Sequence, residues 1–193
     1  MDDALAAAFT DASGFLVEAA RLVPDDGWDQ PGIGTWTRRE LAGHANRSHV
    51  LLAEYLLRPQ PPEPPGSPYF SAEAIAARGR EAVAALGTDP AAAIAAASAS
   101  AIGLVGATAP DAVIGSPAGT MTLARYLPSR IAELTIHALD LADALGADLA
   151  PPPAALRESL AFVAAIAARR DQPAAVLRAL TGRGQLPAGY SVY

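Results

Sequence analysis

T-L-A-R-Y-L-P-S-R-I-A-E-L-T-I-H-A-L-D-L-A-D-A-L, residues Thr122 to Leu145, is the stretch that decides the fold. Leu127, Ile131, Leu134, Ala138, Leu141 and Leu145 recur every three or four residues, the spacing that lines one side of an α-helix. Gly146 follows at once, and glycine accepts the left-handed backbone that closes a helix. Pro128 lies inside the run, which predicts either a kink there or a helix that starts at it. Glu133 and His137 stand four residues apart and border the seam, with Arg130 and Asp140 extending the same strip. Polar groups turned toward a bundle interior cost free energy unless they pair or ligate a metal.

Working outward, the same periodicity predicts further helices. Thr37 and Glu40 form a T-x-x-E capping box, which starts a helix from about Arg38 to Leu57 with Leu41, His44, Ser48, Leu51 and Tyr55 along one side. Before it, a helix from about Asp2 to Val23 ends at Pro24-Asp25-Asp26-Gly27, and a loop runs from Trp28 to Trp36. The stretch PQPPEPPGSP, Pro59 to Pro68, cannot be helical because proline has no amide donor, and it reads as an extended surface connection. Helices are expected again over Ser71 to Leu86 and, with Asp89 as cap and Pro90 at the first position, to about Val105. PDAVIGSPAGT, Pro110 to Thr120, fits a small hairpin or an irregular loop. Past Ala150 to Pro153 come a helix to about Arg170, a short one over Pro173 to Leu180, and an irregular tail from Gly182.

Composition agrees with an all-α chain. Of 193 residues, 51% are apolar but only 6% aromatic, and alanine, the best helix former, dominates the apolar set. That length supports one substantial core: a bundle over residues 1–148 and a short helical extension, 149–193, packed on it. Without cysteine, the chain has no disulfide, thiolate metal site or cysteine nucleophile of its own. A formal net charge of -6 argues against nucleic acid, whose binding needs clustered cations. All 14 basic residues are arginine, which reads as the codon bias of a GC-rich genome. Sequence inspection finds no apolar run of the ~18 residues that span a bilayer, and the acidic start is unlike a signal peptide, so the expectation is a cytoplasmic protein without a membrane partner.

The candidate chemistry lies in His44, Glu133 and His137. A carboxylate and two imidazoles make a three-ligand metal set with open positions, for which zinc is the first choice and iron, nickel or manganese also fit. The same residues have plainer readings: E-x-x-x-H is a common surface pair, and a histidine on an apolar side is often a core residue bonded to a carbonyl. Arg130 could contact an anionic group of a substrate or pair with Glu133 or Asp140. Asp140 could orient His137 or make a surface contact. His49 points away from His44 and suits a structural or surface role. Trp28 and Trp36 either line a cavity mouth or pack the loop on the bundle. Phosphate loops, nucleophile elbows and cysteine-histidine zinc spacings are absent.

Three segments together carry a resemblance: Trp28 to His44 (W-D-Q-P-G-I-G-T-W-T-R-R-E-L-A-G-H), Gly119 to Leu127 (G-T-M-T-L-A-R-Y-L) and Arg130 to Leu141 (R-I-A-E-L-T-I-H-A-L-D-L). Over roughly residues 5 to 148 the chain resembles the mycothiol-dependent maleylpyruvate isomerase family, whose N-terminal domain is a DinB-like four-helix bundle that binds metal. The resemblance implies that His44, Glu133 and His137 bind a divalent metal, zinc first, and that mycothiol is the thiol cofactor activated on it. It implies a mycothiol-dependent isomerase or S-transferase acting on a small electrophilic substrate. About 45 residues follow Gly146, where the family's maleylpyruvate isomerase carries a sizeable C-terminal domain, so an electrophile other than maleylpyruvate is expected. The alternatives are a ligand-binding or regulatory module and a hydrolase using metal-bound water. Either a monomer or a homodimer is compatible with such a bundle.

Overall fold

The structure is a computed structural model that describes residues 3–64, 66–117, 119–170 and 173–192. Seven helices occur among these residues, α1 (Asp3–Arg21), α2 (Arg38–Leu57), α3 (Ala72–Ala85), α4 (Pro90–Ala107), α5 (Leu123–Leu145), α6 (Pro153–Ala167) and α7 (Pro173–Leu180), with one hairpin, β1 (Val113–Ser116) and β2 (Gly119–Thr122). The capping box forms as expected: the Thr37 hydroxyl accepts from the Glu40 amide, and the Glu40 carboxylate accepts from the Thr37 amide at 2.8 Å. Ser71, Asp89 and Thr122 cap α3, α4 and α5 with one bond each, their side chains accepting from the Ala74, Ala92 and Arg125 amides. Gly146, at a φ of 63°, closes α5.

α1, α2, α4 and α5 form the four-helix bundle, with Phe9, Leu16, Leu41, Leu52, Ile94, Leu127, Ile131 and Leu134 fully buried between them. α5 is its hub, packed against α1, α2 and, outside the bundle, α6. α2 and α5 run antiparallel: the Arg38 guanidinium at the start of α2 donates to the Ala144 carbonyl at 2.8 Å, and Tyr55 near its end meets Tyr126 near the start of α5. Arg38 thus places a cation against the negative end of α5. α3 lies on α2 at Gly43, where an added Cβ would come within 3.3 Å of the Val83 amide. α6 packs on α5 and α1, and α7 buries none of its described residues.

Four outcomes differ from, or decide between, the sequence expectations. Pro110 to Thr120 contains the antiparallel hairpin, in register from Val113 opposite Thr122 to Ser116 opposite Gly119. The proline-rich connection is extended but tied to that hairpin, for the Gln60 amide donates to the Gly115 carbonyl and the Glu63 amide to the Pro117 carbonyl, each at 2.9 Å. α5 runs through Pro128 from Leu123, so the proline is not its start. Contrary to expectation, α4 is long and apolar enough to cross a bilayer. Its alanines, glycines and serines hide this from a search for continuous large apolar residues, yet none of its 18 residues is charged. Here Ile94, Ser98, Ala101 and Val105 are buried and the helix packs on α1 and α2.

Candidate metal centre

α2 and α5 bring His44, Glu133 and His137 together. The Nε2 of His137 lies 3.4 Å from Oε2 of Glu133, that of His44 lies 3.8 Å from the same oxygen, and one donor atom from each residue falls within 4.8 Å of the others. Two donors bound to one zinc at ~2.1 Å and a tetrahedral angle stand ~3.4 Å apart, so the three need only small side-chain adjustments to share an ion. The two imidazoles stand edge to face, with centroids 4.9 Å apart and planes at 89°. All three groups are half-buried, and His44 is the most exposed, with 39% of its side chain accessible. A bound ion would therefore keep open positions on the solvent side.

Asp140 completes the arrangement from behind. Its Oδ2 lies 2.9 Å from Nδ1 of His137, which fixes the ring and leaves Nε2 facing Glu133. This is the orientation that carboxylates impose on metal-binding histidines. Burial pulls the His137 pKa down, but the hydrogen bonds to Asp140 and Glu133 outweigh it and raise the group to about 9. Burial pushes the Glu133 carboxyl up, yet hydrogen bonds from His137 and His44 and the nearby Arg130 charge hold it far below the ordinary carboxylate range. Without an ion, protons bind these donors to one another; a divalent cation satisfies the same lone pairs at once.

Around the triad the other expected residues fall into different places. Trp36 lies against His44, ring centroids 4.9 Å apart, at the end of a loop closed by the Gly32 amide donating to the Trp36 carbonyl. Gly32 is required there, since a Cβ would approach the Thr37 carbonyl to 2.9 Å. Trp28 is buried in the core, well covered and under the Arg39 guanidinium, so of the two tryptophans only Trp36 is at the site. Arg130 pairs with neither Glu133 nor Asp140: its guanidinium sits 5.0 Å from the Tyr126 ring centroid, and its Nε donates to Ser129. His49 is fully buried, not at the surface; Nδ1 meets Asn46 at 3.0 Å, the ring packs edge-on to Phe9, and Nε2 has no hydrogen-bond partner among the described residues. The contact of Trp36 with His44 had no signal in helix periodicity, because Trp36 lies outside any helix.

The fold and the triad together define a helical bundle with a three-residue His/Glu/His candidate metal centre between two antiparallel helices. The family model described as mycothiol maleylpyruvate isomerase N-terminal domain matches residues 9–142, and the chain belongs to that family. Neither the curated proteins nor the solved structures compared with the chain gave a match.

Proposed function

We propose that the protein is a zinc-dependent and mycothiol-dependent enzyme, an isomerase or S-transferase, that activates a cofactor thiol for attack on a small electrophile. The observation that carries this reading is the convergence of His44, Glu133 and His137 in a chain of that family which has no cysteine of its own. Zinc bound by these residues supplies Lewis acidity, which lowers the pKa of a coordinated thiol.

The chain's own residues prepare that chemistry. Asp140 holds the Nδ1 proton of His137 and so presents Nε2 to the centre. Glu133 contributes a full negative charge, because its hydrogen bonds and Arg130 keep it ionised at any physiological pH. Trp36 shields one side of His44 from water, while the exposed remainder of that ring leaves an approach for a thiol. The electrophile must then enter from this same open side.

Calorimetry with mycothiol, on zinc-loaded and metal-stripped protein, tests the proposal. Binding that requires zinc, followed by thiol-dependent consumption of at least one member of a panel of electrophiles, is the expected result. Zinc-loaded protein that neither binds the thiol nor turns over any electrophile would overturn it.

A further inference from the structure

The helices α6 and α7 present large apolar side chains to solvent. On α6, Leu156, Leu160, Ala164 and Ala168 follow one another at four-residue steps along the exposed side, and Leu160 is 60% exposed. α7 is turned the same way: Leu177 and Leu180 are 65% and 73% exposed, while Ala175, Val176 and Ala179 are the better covered. Between the two helices lies an open groove of about 350 Å³, bordered by Ala164, Ala168, Pro173 and Leu177 among others, and every residue lining it is apolar. The groove joins the two rows into one patch. Contiguous exposed apolar surface of this kind marks a protein or membrane contact. An eight-residue helix is too short to persist in water by itself, and α7 buries none of its described residues, so a surface that takes up its leucines would also hold the helix.

Charge decides between the two kinds of contact. Residues 149–193 carry five arginines against two acids, a formal +3, whereas residues 1–148 carry nine arginines against 18 acids, a formal -9. Arg157, Arg169, Arg170, Arg178 and Arg183 are all exposed. Screening at physiological ionic strength acts within ~8 Å, so a surface approaching α6 and α7 meets these arginines and not the acidic bundle. A second copy would bring an equally basic surface against this one. Arg157, which stands among the outward residues of α6 beside Leu156, would then be pressed into an apolar seam at a cost in free energy. Lipid phosphates instead pair with arginine, and a fluid headgroup layer takes up leucines without needing a matching shape. α6 packs on α1 and α5, whereas the triad lies between α2 and α5, so the patch and the metal centre occupy different sides of α5.

We propose that α6 and α7 dock the protein on an anionic lipid surface, with Leu160, Leu177 and Leu180 entering the headgroup boundary and the arginines meeting lipid phosphates. This goes beyond the thiol chemistry and does not depend on it. It departs from the expectation of no membrane partner, which rested on the search for a spanning run; lying on a bilayer needs none.

Cosedimentation of the full chain with vesicles of phosphatidylglycerol and phosphatidylcholine, beside vesicles of phosphatidylcholine alone, tests this. We expect binding to the anionic vesicles at about 0.1 M NaCl, and binding about tenfold or more weaker both to the neutral vesicles and at about 0.5 M NaCl. Leu177→Ser with Leu180→Ser, and Arg169→Gln with Arg170→Gln, change exposed side chains and, with native helicity confirmed, should each weaken binding about tenfold or more. Arg80→Gln with Arg125→Gln, exposed on α3 and α5, should leave it unchanged. No binding to the anionic vesicles, equal binding to the neutral ones, or an equal loss in the Arg80 and Arg125 pair would overturn the proposal. So would a wild-type dimer in sedimentation velocity that the leucine pair dissolves, since the patch would then belong to a second copy.

Discussion

His137 is gripped on both sides of its ring, by Asp140 at Nδ1 and Glu133 at Nε2, and this defines what a single atom does at the site. Asp140→Asn keeps the shape but removes the charge that orients the imidazole, so zinc affinity should fall about tenfold to a hundredfold in a competitive chelator titration. Unchanged affinity would make Asp140 a bystander. His49 offers a test away from the centre. Burial pushes its pKa down to about 4 from an ordinary 6.5, so the unfolded chain takes up a proton from pH 6.5 downward while the folded chain stays neutral. Stability is therefore lost as pH falls from 6.5 toward 4, by up to about 3 kcal/mol. In urea unfolding of metal-free protein, the wild type should lose about 2 kcal/mol more than His49→Gln between pH 7 and pH 5. Glu133 does not confuse that window, because its contribution is lost only below the ordinary carboxylate pKa. The triad was legible in the sequence because helical spacing aligned Glu133 with His137 and put His44 on the inward side of its own helix, and the family motifs joined the three. The burial of His49 and the unpaired state of Arg130 were not, because a polar side chain's partners come from other helices.

Helices and their ends were the most legible elements, since caps are local chemistry: Thr37 with Glu40, Asp89 with Pro90, and Gly146 each act within one turn. Replacing Thr37 by Ala removes the acceptor for the Glu40 amide and should cost about 1 kcal/mol in denaturant unfolding. No loss would mean that α2 is held by packing alone. The hairpin and the proline-rich strap were harder to read because each depends on the other. Gly115 is where they meet: a Cβ there would fall 2.6 Å from the Gln60 carbonyl oxygen. Gly115→Val should therefore part strap from hairpin and raise amide exchange at Gln60 and Glu63. Protection equal to the wild type at both amides would contradict that pairing.

At the scale of the molecule, α5 joins stability to function, because one helix presents Glu133 and His137 on its polar strip and Ile131 and Leu134 to the core. Ile131→Ala opens a cavity at a fully buried position and should destabilise the fold by about 2–5 kcal/mol, with zinc recovering part of the lost Tm by binding only the folded state. A variant that zinc leaves unshifted would separate the core from the centre. The bundle itself followed from the seam of Thr122 to Leu145, whereas α4's membrane-length apolarity escaped because alanine disguises it. The most direct test of the whole account is metal content of the purified protein beside His44→Ala and Glu133→Gln, each with native helicity. The account requires close to one divalent ion per wild-type chain and a marked loss in both variants; a wild type that takes up no metal, or variants that retain it in full, would contradict it.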